Sequence, residues 1–159
     1  MKRDPFVVTT RSPAETRRLG RALGRLLRPG DFVGLVGDLG AGKTLFVRGV
    51  AEGAGVPKDA YVASPTFAIV NFYRGGRVPL QHADFYRIES ADELFAIGFE
   101  DLVGGEGATV VEWIDRVPEA APADRLEVVF EVKGPRARRL RLFARGERAR
   151  ALVRGLVAA

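Results

Sequence analysis

Residues Gly37-Asp38-Leu39-Gly40-Ala41-Gly42-Lys43-Thr44 match G-x-x-x-x-G-K-[ST] without a departure. No other feature restricts so strongly what this chain can fold into. Such a loop works only between a strand and a helix. Its glycines let backbone N–H groups turn inward around a phosphate. The lysine reaches the outer phosphate oxygens, and the threonine hydroxyl ligates a divalent cation. A helix starting behind the loop adds the positive end of its dipole. The flanks have the required character. Asp31 to Val36 reads as a buried strand, and Lys43 to about Ala54 as a helix with Leu45, Phe46, Val50 and Ala54 inward, stopped by Gly55. One of only four lysines in the chain falls on the motif position.

The remaining pattern places this unit in an α/β protein. Phe6 to Val8 reads as a short strand. Ser12-Pro13-Ala14-Glu15 reads as a capped helix start, with Ser12 capping and Glu15 closing a capping box, and Leu19, Leu23, Leu26 and Leu27 follow at helical spacing up to Pro29-Gly30. Phe67 to Tyr73 and Val78 to Asp84 read as strands joined by a two-residue Gly75-Gly76 hairpin turn. Ala91 to Ile97 is a short helix and Ala108 to Trp113 a further strand. Arg125 to Val132 and Arg139 to Phe143 alternate as antiparallel strands do, and Glu147 to Val157 is a last helix. Strands and helices alternate early and strands cluster late. The expectation is a mostly parallel sheet of the P-loop NTPase kind with helices on both faces and added antiparallel strands, forming one domain over residues 1–159. Residues 133–159 form its basic strand-helix end.

Composition removes several function classes. There is no cysteine, which excludes disulfides, thiol nucleophiles and cysteine-zinc sites and suits a reducing cytoplasmic setting. The single histidine, His82, excludes a multi-histidine metal site and is expected to pack within its strand. No apolar run approaches the ~20 residues of a membrane helix, and the first residues contain no stretch of signal-peptide length. Charge is distributed unevenly. Residues 1–132 hold 16 basic and 19 acidic side chains; residues 133–159 hold nine basic and one acidic. The basic end suits RNA or another acidic partner, or is a solvated face.

A phosphate loop in use needs a further carboxylate on the metal side. Two acids end strands, Asp84 and Glu112, and spacing does not choose between them. Four segments taken in order, Gly37 to Thr44, Ser64-Pro65-Thr66-Phe67, His82-Ala83-Asp84-Phe85-Tyr86-Arg87 and Glu112-Trp113, resemble the TsaE (YjeE) family, bacterial P-loop ATPases of tRNA threonylcarbamoyladenosine biosynthesis. The resemblance implies that Gly37, Asp38, Leu39, Gly40, Ala41, Gly42, Lys43, Thr44 and Leu45 bind ATP, with Thr66 near the γ-phosphate, Trp113 close to the nucleotide and Thr10 near the adenine. It implies Mg²⁺ held by Thr44, Asp84 and Glu112, with Lys43, Asp84 and Glu112 in catalytic roles. It further implies an ATPase that is weak alone and resets the TsaB–TsaD partner complex between cycles, meeting tRNA indirectly or through the basic end. Ile114-Asp115 departs from the small residue or proline that often follows Glu-Trp in the family, which leaves the local loop shape open.

Other readings stay in view. A small-molecule kinase would share the loop and could use Arg74 and Arg77 as a lid. A GTPase would use Asp101-Leu102-Val103-Gly104 as D-x-x-G, but the guanine-reading N-K-x-D is absent, so that segment reads as a helix end. A passive RNA scaffold lacks an RNA-binding signature.

Overall fold

The computed structural model describes residues 4–65 and 68–159. Its strands are β1 (Phe6–Thr10), β2 (Phe32–Val36), β3 (Val70–Tyr73), β4 (Leu80–Asp84), β5 (Ala108–Glu112), β6 (Arg125–Val132) and β7 (Arg138–Arg145). Its helices are α1 (Pro13–Leu26), α2 (Lys43–Gly53), α3 (Ala91–Ala96), α4 (Phe99–Leu102) and α5 (Glu147–Ala158). The strands form one seven-stranded sheet in the order β1-β7-β6-β2-β5-β4-β3. Strands β6, β2, β5 and β4 run parallel and make its centre; β7, β1 and β3 are added antiparallel at the two edges. The expected fold class is therefore observed.

Alternation decides which side chains meet which layer. Val33 and Leu35, Ala108 and Val110, Leu126, Val128 and Phe130, and Leu140 and Leu142 face one side and bury against α1, α2 and α5. Phe32, Ala83 and Val111 face the other, under Phe85, Ile88, Leu94 and Phe99 of the α3–α4 region. Because the central strands are parallel, their C-terminal ends lie along one edge, the usual place for a site in such sheets. Val36, Asp84 and Glu112 all end there.

Helices α1 and α2 cross in backbone contact. A Cβ on Gly20 would sit 2.3 Å from the Phe46 carbonyl oxygen, and one on Gly49 would sit 2.0 Å from that of Arg17. Gly24 and Gly53 repeat the pattern one turn on. Glu52 of α2 then pairs with both Arg17 and Arg21 of α1. The crossing fixes α2, and with it the loop at its N-terminus.

Several local expectations are corrected. The Gly75-Gly76 turn is not a two-residue hairpin: β3 ends at Tyr73 and β4 starts at Leu80. The longer link docks on α2, with the Arg77 N–H donating to the Ala54 carbonyl at 2.8 Å. Ser12 caps α1 through the Glu15 N–H, but the Glu15 carboxylate accepts from the Arg11 N–H instead of the cap residue's own, so the box is offset by one residue. Leu45 is half-buried and stands outside the core. Residues 101–104 do end a helix, α4, at Leu102, with Gly104 at φ +80°.

Candidate functional site

The site grows out of two adjacent strand ends and the helix beside them. In the parallel pairing of β4 with β5, Asp84 stands opposite Glu112, while on the other side of β5, Leu35 of β2 stands opposite Glu112. The chain leaves β2 one residue later and enters the loop of Gly37 to Gly42 beside the strand end that carries Glu112. Gly42 adopts φ +102°, a left-handed turn open to glycine, and α2 begins at Lys43.

Glu112 is buried, 3% exposed, and its two oxygens are fully engaged. Oε1 accepts from the Thr44 hydroxyl at 3.0 Å; Oε2 accepts from Ser64 at 2.8 Å and lies 2.6 Å from His82 Nε2. Burial by itself would raise the Glu112 pKa. The hydrogen bond and charge of His82 and the bonds from Ser64 and Thr44 outweigh it and bring the carboxyl below its usual value. An ionised carboxylate only accepts, so His82 presents Nε2–H to it. Thr44 and Ser64 are themselves 2.7 Å apart. Those two hydroxyls have one contact more than they have hydrogens to fill: each carries one proton, and Glu112 claims both. A cluster of facing oxygens is what a hard cation satisfies. Among the described residues, no three His, Asp or Glu side chains gather as a protein-only metal cage. Two hydroxyls, one carboxylate and remaining positions for water and phosphate fit Mg²⁺.

Asp84 is nearby but occupied differently. Its Oδ1 accepts from the Tyr86 N–H at 2.8 Å. Burial raises its pKa, the Tyr86 bond opposes this, and the Glu112 charge adds to the rise. Of the two acids that spacing could not separate, Glu112 is the one bonded to Thr44.

Lys43 is buried and donates to the carbonyls of Gly37 and, at 2.8 Å, Asp38. Its Nζ lies 4.2 Å from the centroid of the Trp113 ring. Burial lowers the Lys43 pKa, while the charges of Glu112, Asp84, Asp115 and Asp38 work against that shift. Trp113 reaches this position because its backbone is left-handed at φ +61°, the only such non-glycine among the described residues. That conformation costs about 1–2 kcal/mol. It turns the chain at the end of β5 and lays the indole over Lys43, with the Tyr86 ring tilted against it at 5.0 Å. Ile114, the departure noted in the sequence, then starts a 3₁₀ turn and is buried against Gly34 of β2, where an added Cβ would meet Ile114 Cγ2 at 2.8 Å. An apolar residue there fills the space a glycine strand position leaves.

Thr10 is buried and its hydroxyl pairs with that of Thr16 at 2.7 Å. Asp38, Leu39 and Gly40 are exposed at the loop apex, Ala41 is buried, and Leu45 is one turn into α2. Thr66 lies outside the described residues. Reading the sequence passed over two contributors. Ser64 was visible inside its motif without a role. From sequence, His82 is expected to pack or hydrogen-bond within its strand; it does hydrogen-bond, but to Glu112 on the neighbouring strand 30 residues away, and its place two residues before Asp84, on the same face, is the signal for that.

A phosphate loop between a central parallel strand and a helix, with a buried carboxylate on the loop threonine, defines a P-loop α/β protein. The model of the family described as threonylcarbamoyl adenosine biosynthesis protein TsaE matches residues 10–140. The tRNA threonylcarbamoyladenosine biosynthesis protein TsaE of Bacillus subtilis is 40% identical over 139 residues, covering 87% of this chain and 85% of that protein. Its namesake in Treponema pallidum is 43% identical over 123 residues, covering 77% and 89%. The crystal structure of Bacillus subtilis YdiB superposes with a TM-score of 0.79 at 34% identity, covering 99% of this chain and 97% of that one. The chain belongs to the TsaE family.

Proposed function

We propose that the protein is a Mg²⁺-dependent ATPase that serves the formation of threonylcarbamoyladenosine on tRNA. The observation that carries this reading is the Thr44–Glu112–Ser64 oxygen cluster directly beneath the Lys43 loop. Gly37 to Leu45 bind the phosphates of ATP. Lys43, held here by the Gly37 and Asp38 carbonyls, would exchange them for β- and γ-oxygens. Thr44 and Glu112 would hold Mg²⁺, with Asp84 at the adjacent strand end as a further ligand. The ion would supply neutralisation of phosphate charge during transfer. Glu112, kept ionised by His82 and the two hydroxyls, also orients attacking water. Trp113 closes over the lysine. The family resemblance also implies a γ-phosphate role for Thr66.

The chain acts with the TsaB–TsaD pair, and its hydrolysis resets that pair between cycles in the cytoplasm. No helix among the described residues is long and apolar enough to cross a membrane. The test compares ATP hydrolysis by the protein alone and with the pair: a slow rate alone that rises with the partners supports the reading, and equal fast rates contradict it. The kinase alternative has less support, because the Arg77 guanidinium is committed to the Gly24 and Leu27 carbonyls at the end of α1 and is not free to act as a lid.

Four of the nine basic side chains in residues 133–159 are paired with acids. Lys133 and Arg141 pair with Glu131, Arg145 with Glu127, and Arg148 with the buried Asp31. A tRNA contact, if made through this segment, falls to Arg136, Arg150 and Arg154.

A further inference from the structure

Arg138 opens β7 and has no acidic partner among the described residues. Its guanidinium binds only carbonyls. Nε donates to Ala41 at 3.0 Å and Nη2 to Gly40 at 3.2 Å; Nη1 donates to Gly134 at 3.0 Å and to Ala137 at 2.9 Å. One side chain thus fastens the β6–β7 turn to the phosphate loop, across 97 residues of sequence. A guanidinium holds its donors in a rigid planar fork, so the two loop carbonyls are fixed relative to each other.

The peptide plane transmits this to the other side of the loop. No peptide bond among the described residues is cis. In a trans peptide the C=O and the following N–H point in opposite directions. The Ala41 carbonyl turned out to Arg138 therefore turns the Gly42 N–H inward, at the unsatisfied N-terminus of α2. The Gly40 carbonyl turned the same way sets the Ala41 N–H, which closes the loop on the Asp38 carbonyl at 3.1 Å. The positive charge lies behind the cradle, where it also favours an anion within it.

We propose that Arg138 is a positioning residue for nucleotide phosphates: it presets the Gly40–Gly42 backbone and makes the C-terminal segment part of the nucleotide site without touching the nucleotide. This rests on the reading of the loop as an ATP site.

The test is calorimetric titration of the full chain with a non-hydrolysable ATP analogue and Mg²⁺, with thermal unfolding recorded without nucleotide. Arg138→Gln is expected to weaken binding about tenfold, the loss of charge-assisted bonds. Arg138→Lys, which keeps the charge but reaches one carbonyl, is expected to recover part of that loss. Arg139→Gln removes the same charge one residue along, on the opposite sheet face, and is expected to bind as the unaltered chain does. Hydrolysis by Arg138→Gln with the TsaB–TsaD pair should show a raised KM at little-changed kcat, a split that mere destabilisation does not produce. Binding by Arg138→Gln equal to that of the unaltered chain overturns the proposal, as does equal weakening by Arg139→Gln. An unaltered chain that binds no nucleotide overturns the ATP-site reading itself, and this proposal with it.

Discussion

The two flanks of the phosphate loop are built on different principles. On the β4–β5 side, buried Glu112 and His82 join half-buried Thr44 and Ser64 in one hydrogen-bonded cluster, with Asp84 on the adjacent strand end. On the β7 side a single half-buried guanidinium grips the loop from behind. On the proposed reading the first flank supplies groups for the reacting phosphate and the second supplies shape. Substitutions in the first flank should therefore act on turnover and on stability, and substitutions in the second on affinity.

The largest effect is expected at Glu112. Glu112→Gln should lower partner-stimulated kcat roughly a hundredfold or more, because the electrostatic support for the transferring group and its water is lost. A steady-state assay with the TsaB–TsaD pair reads this, and a change confined to KM would erase the distinction between the flanks. His82→Ala comes next. It leaves a buried carboxylate short of a donor and a cavity beside it, so denaturant unfolding should show a loss of about 2–4 kcal/mol. Stability equal to that of the unaltered chain would mean that the Glu112 cluster does not depend on His82.

A smaller effect, of opposite sign, is expected at Asp84. Burial raises its pKa above the ordinary 3.8. The folded chain then holds a proton there that the unfolded chain has released, so stability falls as pH rises from 3.8 through the raised value. Asp84→Asn lacks this loss. Without Mg²⁺ it should melt about 2 °C higher at neutral pH, with the gain vanishing toward acid. A pH series of melting curves checks this; a gain that grows toward acid would reverse the assignment. The smallest effect is at Trp113. Trp113→Phe keeps a ring over Lys43 but a weaker one, and nucleotide affinity should change by about two- to fivefold. Titration of the variant measures it, and a loss as large as that of Glu112→Gln in turnover would give the indole a greater role than stacking.

Legibility in the sequence followed the range of the interactions. The loop, β2 and α2 were readable because their signal is local: glycines and lysine at fixed spacing between apolar runs. Strands β6 and β7 were readable because each buries one face. The Gly75-Gly76 turn misled because those glycines serve a contact with α2 instead of a tight hairpin: a Cβ on Gly76 would sit 2.6 Å from the Ala54 carbonyl oxygen. The glycines at 20, 24, 49 and 53 were a missed signal, since two pairs four apart on consecutive helices mark a close crossing. On the site's first flank, Glu112 and Asp84 could be nominated but not ranked, since the register of β4 on β5 lies outside local pattern. Nothing near Arg138 in sequence announces a contact 97 residues away. It read as one more arginine in a basic end.

One experiment bears most directly on the central claim, that this loop and Glu112 together hold Mg-ATP. It is calorimetric titration with a non-hydrolysable ATP analogue, with and without Mg²⁺, on the unaltered chain and on Lys43→Ala. The account predicts one nucleotide bound per chain, tightened by Mg²⁺ and lost in Lys43→Ala. Binding that ignores both Mg²⁺ and the lysine, or no saturable binding at all, would contradict it.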